Sequence, residues 1–302
     1  MRSIVAISAL LALAASFAAA QGTSPADPDI SRVLAGMKRA TDTERSKAFD
    51  EAATLLASGK LPAADVDNLK LGLIQLLVTE NNEIQSLIAE RNRSVRTAGA
   101  TGQSPASQRS ADETADEAAP SGTESEDLSE YYPELIGTVA ALRDERAIPA
   151  LLGAAPTGGM ATRGVARFGR KALDAVLEQV KSQDSELASG AIFVLRDMLE
   201  FRTANDPDSR LRIKNALRSA LASPDSGVRY SAVGAIEYLD DREEFVPTLK
   251  DLAEHDPDKL AGQLLFDGTI GDAYFVRQIA KRLLLSIANH EPPAVDKRGL
   301  QY

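Results

Sequence analysis

The sequence has no cysteine, no tryptophan and only two histidines among its 302 residues. Without cysteine, the chain has no disulfide framework, thiolate zinc site, iron–sulfur cluster or cysteine nucleophile. A lipoprotein anchor is excluded for the same reason, because it needs a cysteine to acylate. Aromatic residues make up 5% of the chain and leave little to stack on bases, and the net charge of −10 also disfavours nucleic-acid binding. We therefore predict no nucleic-acid partner.

Recognisable catalytic motifs are also absent from the sequence. It contains no HExxH, GxSxG, Walker or GxGxxG pattern. His255 and His290 each end a predicted helix, where a cation suits the negative pole. The Asp267–Asp272 segment offers carboxylates and carbonyls to calcium, but it lacks EF-hand spacing, and a plain inter-helix loop is the alternative. We predict no catalytic residue, no cofactor and no metal site.

The N-terminus is typical of an export signal. Arg2 precedes an apolar run from Ile4 to Ala20, which ends in three alanines before Gln21. An uncleaved anchor is the alternative, although 17 residues are few for a membrane span of about 30 Å. We predict a signal peptide over residues 1–20, cleavage near Ala20-Gln21, and a periplasmic or extracellular mature chain with no integral membrane segment.

Two segments of contrasting composition follow. Residues 29–94 carry apolar side chains at helical spacing and are predicted to form two to four helices, one of them capped by Asp42 or Thr43. Residues 95–127 are predicted to be a disordered acidic linker. Between residues 97 and 127 there are seven carboxylates, one arginine and no Leu, Ile or Val, so this stretch buries too little apolar area to fold.

Residues 128–290 repeat one helical pattern, and residues 291–302 form a short tail. The segments LASGAIFVLRDM, VRYSAVGAIEYL and VRQIAKRLLLSI superpose when Leu187, Val228 and Val276 are aligned, at separations of 41 and 48 residues. Apolar residues recur at positions 7, 8 and 11 on one helical face, and a small residue at position 4 lets a neighbouring helix approach closely. These small residues are Ala191, Ala232 and Ala280. Asp206-Pro207 and Ser223-Pro224 are predicted to start helices, with the residue before each proline as the cap. The pattern predicts an all-α chain with an α-solenoid over 128–290.

The segments DSGVRYSAVGAIEYLDD, YFVRQIAKRLLLSI and LRDERAIPALLGA resemble HEAT repeats, an armadillo-like helical architecture. They are similar especially to the HEAT-like, phycobiliprotein-lyase-type subgroup, with Val-Arg opening one helix and Ala-Ile-Pro-x-Leu-Leu in the other. The resemblance implies that Arg229 and Arg277 hydrogen-bond carboxylates or carbonyls of adjacent repeats, a structural role. Ala188 stands where the first copy would have this arginine. The last unit is seven residues longer, within DPDKLAGQLLFDGTIGDAYF.

One basic stretch stands out in this acidic chain. Residues 160–218 hold 11 lysines and arginines against 8 aspartates and glutamates. Six of these cations are candidate partner-binding residues: Arg170, Lys171, Arg210, Arg212, Lys214 and Arg218. The second helices of HEAT solenoids line the concave face, so the resemblance implies that these cations converge there on an acidic protein or peptide, or on the chain's own acidic linker. An ordinary solvated helix face is the alternative.

The sequence therefore favours an exported, non-catalytic scaffold that binds another protein or peptide through its repeats. The physical reason is that stacked helix pairs form a long open surface rather than one deep pocket. An enzyme related to phycobilin lyases, or an enzyme of another kind, is the alternative. The lyase reading comes only from the resemblance and fits poorly with export, because such enzymes act in the cytoplasm on a cysteine-bearing partner.

Overall fold

The structure, a computed structural model, describes residues 28–39, 41–100, 125–264 and 270–293. These residues are mostly α-helical, which confirms the predicted all-α class. The helices are α1 (Pro28–Gly36), α2 (Asp42–Ser58), α3 (Ala63–Ala100), α4 (Ser125–Ala141), α5 (Ile148–Gly153), α6 (Gly159–Ala166), α7 (Arg170–Gln179), α8 (Ser185–Glu200), α9 (Pro207–Leu221), α10 (Ser226–Ile236), α11 (Val246–His255) and α12 (Phe275–Ala288). Short 3₁₀ turns at Glu145–Ala147, Ala155–Thr157 and Arg242–Phe245 join some of them.

The chain divides into two compact units, 1–69 and 70–302, with the boundary inside α3. In the first unit α1 packs against α2, and Gly36 allows a close crossing because a Cβ there would lie 2.8 Å from the Cβ of Ala48. The cap of α2 is Thr41 rather than the predicted Asp42 or Thr43. The Thr41 hydroxyl accepts from the Glu44 amide at 3.4 Å and donates to the Glu44 carboxylate at 2.8 Å.

The second unit begins with α3, which is joined to the next helices by buried polar bonds. Asn81 donates from Nδ2 to the Ala150 carbonyl at 2.7 Å and accepts from the Tyr132 hydroxyl at 2.6 Å. The ends of the predicted linker are helical, because α3 continues to Ala100 and α4 begins at Ser125. A formed helix extends at little cost through residues such as the alanines that end α3. The rest of the predicted linker, 101–124, lies outside the described residues.

From α5 onward the helices form consecutive pairs: α5 with α6, α7 with α8, α9 with α10, and α11 with α12. The second helices contact one another in order, since α6 packs on α8, α8 on α10 and α10 on α12. Among the first helices, α5 contacts α7 and α7 contacts α9. We call α5, α7, α9 and α11 the first-helix row, and α6, α8, α10 and α12 the second-helix row. Helix α4 packs on α6, before the first pair.

The repeated apolar face lies inside the second-helix row. The alanines at position 4, Ala191, Ala232 and Ala280, are fully buried, and so are most of the aliphatic residues at positions 7, 8 and 11. Leu187 is an exception because it is only half-buried, whereas its counterparts Val228 and Val276 are buried. Most of the aligned positions therefore belong to the buried core of the second unit.

A β-hairpin interrupts the predicted all-helical region between α11 and α12. Strand β1 (Leu260–Leu264) pairs antiparallel with β2 (Ile270–Ala273), with Leu264 opposite Ile270 and an irregularity between Leu260 and Gln263. This hairpin falls in the segment that holds the seven additional residues of the last unit. Its sequence lacks a helical apolar period, in keeping with this departure from the helical pattern.

No helix in the described part of the chain has both the length and the apolar content needed to cross a membrane. The predicted signal peptide, 1–20, lies outside the described residues, and so does most of the predicted tail, from residue 294 onward.

Candidate functional site

The six candidate cations lie on two neighbouring helices of the first-helix row. Arg170 and Lys171 are on the first turn of α7, and Arg210, Arg212, Lys214 and Arg218 are on α9. The HEAT resemblance implies that these helices are the second members of their pairs. The structure corrects this assignment, because α7 precedes its partner α8 and α9 precedes α10. These cations therefore lie on first helices, and the placement on second helices that the resemblance implied is wrong.

Each of the six cations is paired with a carboxylate of another element. The pairs are Arg170 with Asp206 (3.8 Å) and Asp208 (3.9 Å), Lys171 with Glu145 (2.5 Å), Arg210 with Asp240 (2.7 Å), Arg212 with Asp174 (2.5 Å), Lys214 with Asp241 (2.6 Å) and Glu244 (2.9 Å), and Arg218 with Glu244 (2.7 Å). Arg202, in the α8–α9 connection, also binds Asp240, at 2.6 Å. We call these side chains the ion-pair ladder; it joins neighbouring members of the first-helix row and the connections beside them.

The ladder carries no excess of positive charge. It contains seven cations and seven carboxylates, because Glu145, Asp240, Asp241 and Glu244 lie outside the basic stretch 160–218. Sequence reasoning missed these partners, although their spacing carries a signal. Asp174 and Arg212 are 38 residues apart, as are Arg202 and Asp240, which is close to the repeat length of 41.

Pairing moves the pKa values of several ladder groups further from neutral pH. Hydrogen bonds to Asp241 and Glu244 raise the pKa of Lys214, and the hydrogen bond to Asp174 raises the pKa of Arg212. The hydrogen bond from Arg202, helped by Arg210, lowers the pKa of Asp240 to about 2. General acid–base catalysis needs a group that titrates near the working pH. These pKa shifts run in the opposite direction, so these three groups suit charge pairing rather than proton transfer.

Arg229 and Arg277, the two arginines that follow valine in the repeats, meet at Asp256 at the end of α11. Arg229 binds the Asp256 carboxylate through Nε (2.7 Å) and Nη2 (2.9 Å), and it also donates to the carbonyls of Ser223 and Pro224. Arg277 donates from Nε to the Asp256 carbonyl at 2.7 Å. One residue thus connects the start of α10, the end of α11 and the start of α12.

The Arg229–Asp256 pair is shielded from water, with 8% and 0% of the two side chains exposed. Burial alone would raise the pKa of Asp256, but hydrogen bonds from Arg229 and the Asp258 amide hold that pKa below its usual value. Removing one partner of such a pair strands a buried charge and costs about 3–5 kcal/mol. The arrangement fits a structural role for Arg229.

A second buried carboxylate, Asp197 on α8, lies between the second helices. It accepts from the Thr162 hydroxyl of α6 at 2.6 Å and from Arg196 Nη2 at 2.8 Å. The Arg196 guanidinium also stacks over the Phe193 ring at 5.2 Å. Both Asp197 oxygens are satisfied by the protein itself, so the cluster ties α6 to α8.

The remaining sequence candidates are dispersed. His255 ends α11 with Nδ1 3.0 Å from Asp251 Oδ1, and His290 follows α12 with a positive φ of 52°. Asp272 belongs to β2 and pairs with Lys259 at 2.7 Å, whereas Asp267 lies outside the described residues. Within the described ranges, no group of three or more His, Asp or Glu side chains has the geometry to hold a metal ion.

Comparison with known proteins assigns no family to the chain. No protein-family model and no curated protein match it. Among solved structures, it is similar to an engineered protein from the Northeast Structural Genomics Consortium, at 14% identity and a TM-score of 0.34, over 87% of this chain and 98% of that one. A second engineered protein from the same consortium has 15% identity and a TM-score of 0.32, over 87% and 69% of the two chains. Because both TM-scores are below 0.5, these likenesses identify neither a fold family nor a function.

Proposed function

We propose that the chain is an exported, non-catalytic scaffold whose HEAT-like α-solenoid binds another protein or peptide. The observation that supports this function most directly is the order of contacts in the second unit. Each helix pair contacts the next pair along the chain, and the equivalent second helices contact one another and carry fully buried alanines at the same repeat position. Such stacking leaves the outer sides of the rows exposed over many residues, as in proteins that bind extended partners.

The ion-pair ladder is the surface that we propose for the partner. Its charges are accessible, since 68% of the Arg170 side chain and 83% of the Asp174 side chain are exposed. Leu211, 51% exposed, lies on α9 beside Arg210 and Arg212 and offers an apolar anchor. A partner that carries both acidic and apolar side chains would exchange its carboxylates for those of the ladder and cover Leu211.

The proposal is tested in two stages, the first of which identifies the partner. A photo-reactive amino acid placed at Ala175, an exposed position of α7, is cross-linked in the native exported fraction. The same amino acid at Gln278, an exposed position of α12, is the control. Mass spectrometry should find a polypeptide captured from Ala175 and not from Gln278.

The second stage tests the surface with the identified partner. The double variant Arg170→Glu/Arg212→Glu should weaken binding by about tenfold or more, because it places acidic groups where the partner's carboxylates would bind. The matched control is Lys181→Glu/Lys250→Glu, which makes the same charge change away from the ladder and should bind like the wild type. Circular dichroism checks that both variants are folded. Equal binding by both variants would exclude the ladder, and turnover of a small molecule would exclude the non-catalytic function.

A further inference from the structure

The two rows of the second unit are held together in different ways. Neighbouring members of the second-helix row run close together over much of their length, and these helices bury many Ala, Val, Leu and Ile side chains. Polar links in this row include the Thr162–Asp197 hydrogen bond between α6 and α8 and the Arg282–Glu237 ion pair between α12 and the end of α10. In the first-helix row, α7 and α9 approach closely at only a few positions, and so do α5 and α7. The buried residues of α7 and α9, such as Leu173 and Leu217, belong to helices whose more extensive contacts are with α8 and α10.

Ion pairs bridge each interval of the first-helix row. Lys171 on α7 reaches Glu145 just before α5, and Arg212 on α9 reaches Asp174 on α7. On the other side of α9, Lys214 and Arg218 both bind Glu244, in the 3₁₀ turn that leads into α11. Long charged side chains therefore span gaps that the second-helix row fills with aliphatic groups.

From this asymmetry we infer that the first-helix row opens and closes with ionic strength, while the second-helix row acts as a fixed spine. Salt concentration controls this opening because most of the ladder's side chains are partly exposed, so dissolved ions screen the attraction between them. The Debye length falls from about 30 Å at 0.01 M salt to about 3 Å at 1 M. Apolar packing does not weaken in the same way, and the buried Arg229–Asp256 pair is largely shielded from ions.

The absence of cysteine makes this motion measurable in the full chain, because introduced cysteines are the sole sites for thiol-reactive spin labels. One labelled pair, Ala175→Cys and Thr248→Cys, spans α7 to α11 and reports on the first-helix row. The other, Met160→Cys and Tyr230→Cys, spans α6 to α10 and reports on the second-helix row. All four positions are exposed and uncharged, and each pair spans two helix intervals.

Pulsed electron spin resonance then measures both distances at 0.01 M and 1 M salt. Helices that slide at an interface move by about 1–2 Å, so two intervals predict a lengthening of roughly 2–4 Å across the first-helix row. The distance across the second-helix row should stay constant. Equal lengthening of both rows would show a general expansion and overturn the inference, and so would constant distances in both.

A variant tests whether the ladder is the cause. Glu244→Gln neutralises the carboxylate that Lys214 and Arg218 share, so at low salt its α7–α11 distance should exceed the wild-type distance by about 1–2 Å, the shift of the one interval that it releases. Glu178→Gln is the matched control, because Glu178 on α7 pairs with Lys181, just after the same helix, and not with a ladder residue among those the structure describes. If Glu244→Gln keeps the wild-type distance and salt response, the ladder does not hold the row. The wild-type distances alone decide the inference if this variant does not fold.

Discussion

Two carboxylates of the ladder, Glu244 and Asp240, each bind two cations, and Asp240 is the clearer case. Its oxygens bind Arg202 at 2.6 Å and Arg210 at 2.7 Å. The connection after α10 is therefore tied to the start of α9 and also to the α8–α9 connection. About 44% of the Asp240 side chain remains exposed, which reduces the free energy that such pairs contribute. The hydrogen bonds nevertheless lower the pKa of Asp240 to about 2.

The pH dependence of stability follows from that pKa shift. A carboxyl whose pKa is lower in the folded chain stabilises the fold above its unfolded pKa of about 4, and it loses this effect as the pH falls through 2. Asp240→Asn should therefore reduce the free energy of unfolding by about 0.2–1 kcal/mol between pH 5 and 8, as measured by urea titration. The difference from the wild type should shrink steadily below pH 4. A difference that stays constant down to pH 2.5 would contradict this origin.

Helix caps show what single residues reveal in the sequence and what they conceal. Asp206 before Pro207 was correctly predicted, since its carboxylate accepts from the Ser209 amide at 3.0 Å. At the start of α10 the predicted Ser223 is not the cap; Asp225 accepts from the Val228 amide at 3.0 Å. Several neighbouring residues there are able to cap, and the backbone geometry decides which of them does.

At the scale of helices, small residues set how closely neighbouring elements pack. The position-4 alanines were predictable because they recur in each copy of the repeat. Close contacts at positions that do not recur were not predictable. Gly190 on α8 lies against the 3₁₀ turn Ala155–Thr157, where a Cβ would come within 2.8 Å of the Pro156 nitrogen. The hairpin was missed for a related reason, since it is an insertion that the repeat does not contain.

Two glycines on equivalent helices give a matched test of this packing. Gly190→Ala should lower the free energy of unfolding by about 1–3 kcal/mol, because the added methyl meets backbone atoms that yield little. Gly234→Ala on α10 should instead raise it by about 0.5–1 kcal/mol, since its Cβ meets only the Ile279 side chain, at 3.6 Å, and alanine favours the helix. Urea unfolding measures both values. Similar effects of the two substitutions would contradict the role assigned to Gly190.

At the scale of the whole molecule, the sequence predicted the helical rows better than the surface between them. The apolar faces of α8, α10 and α12 follow from local periodicity, which is visible in any short window. The ladder depends on partners in other repeats, such as Lys171 with Glu145, 26 residues away, or Arg212 with Asp174, 38 residues away. A charge count over one stretch of sequence does not include partners from other repeats. The cations therefore looked like a basic stripe, although they belong to a ladder with equal numbers of cations and carboxylates.

If the second unit is a solenoid, as we propose, its stability depends on contacts between neighbouring pairs, and damage should stay local. Leu283→Ala on α12 and Leu195→Ala on α8 remove buried side chains of the same type and should each cost about 2–5 kcal/mol. Amide hydrogen exchange should then show lost protection confined to α10, α11 and α12 for Leu283→Ala, because α12 contacts both α10 and α11. For Leu195→Ala the loss should extend to α6 and α10, because α8 contacts both. Uniform loss across 125–293 in both variants would show one cooperative core and exclude the repeat architecture.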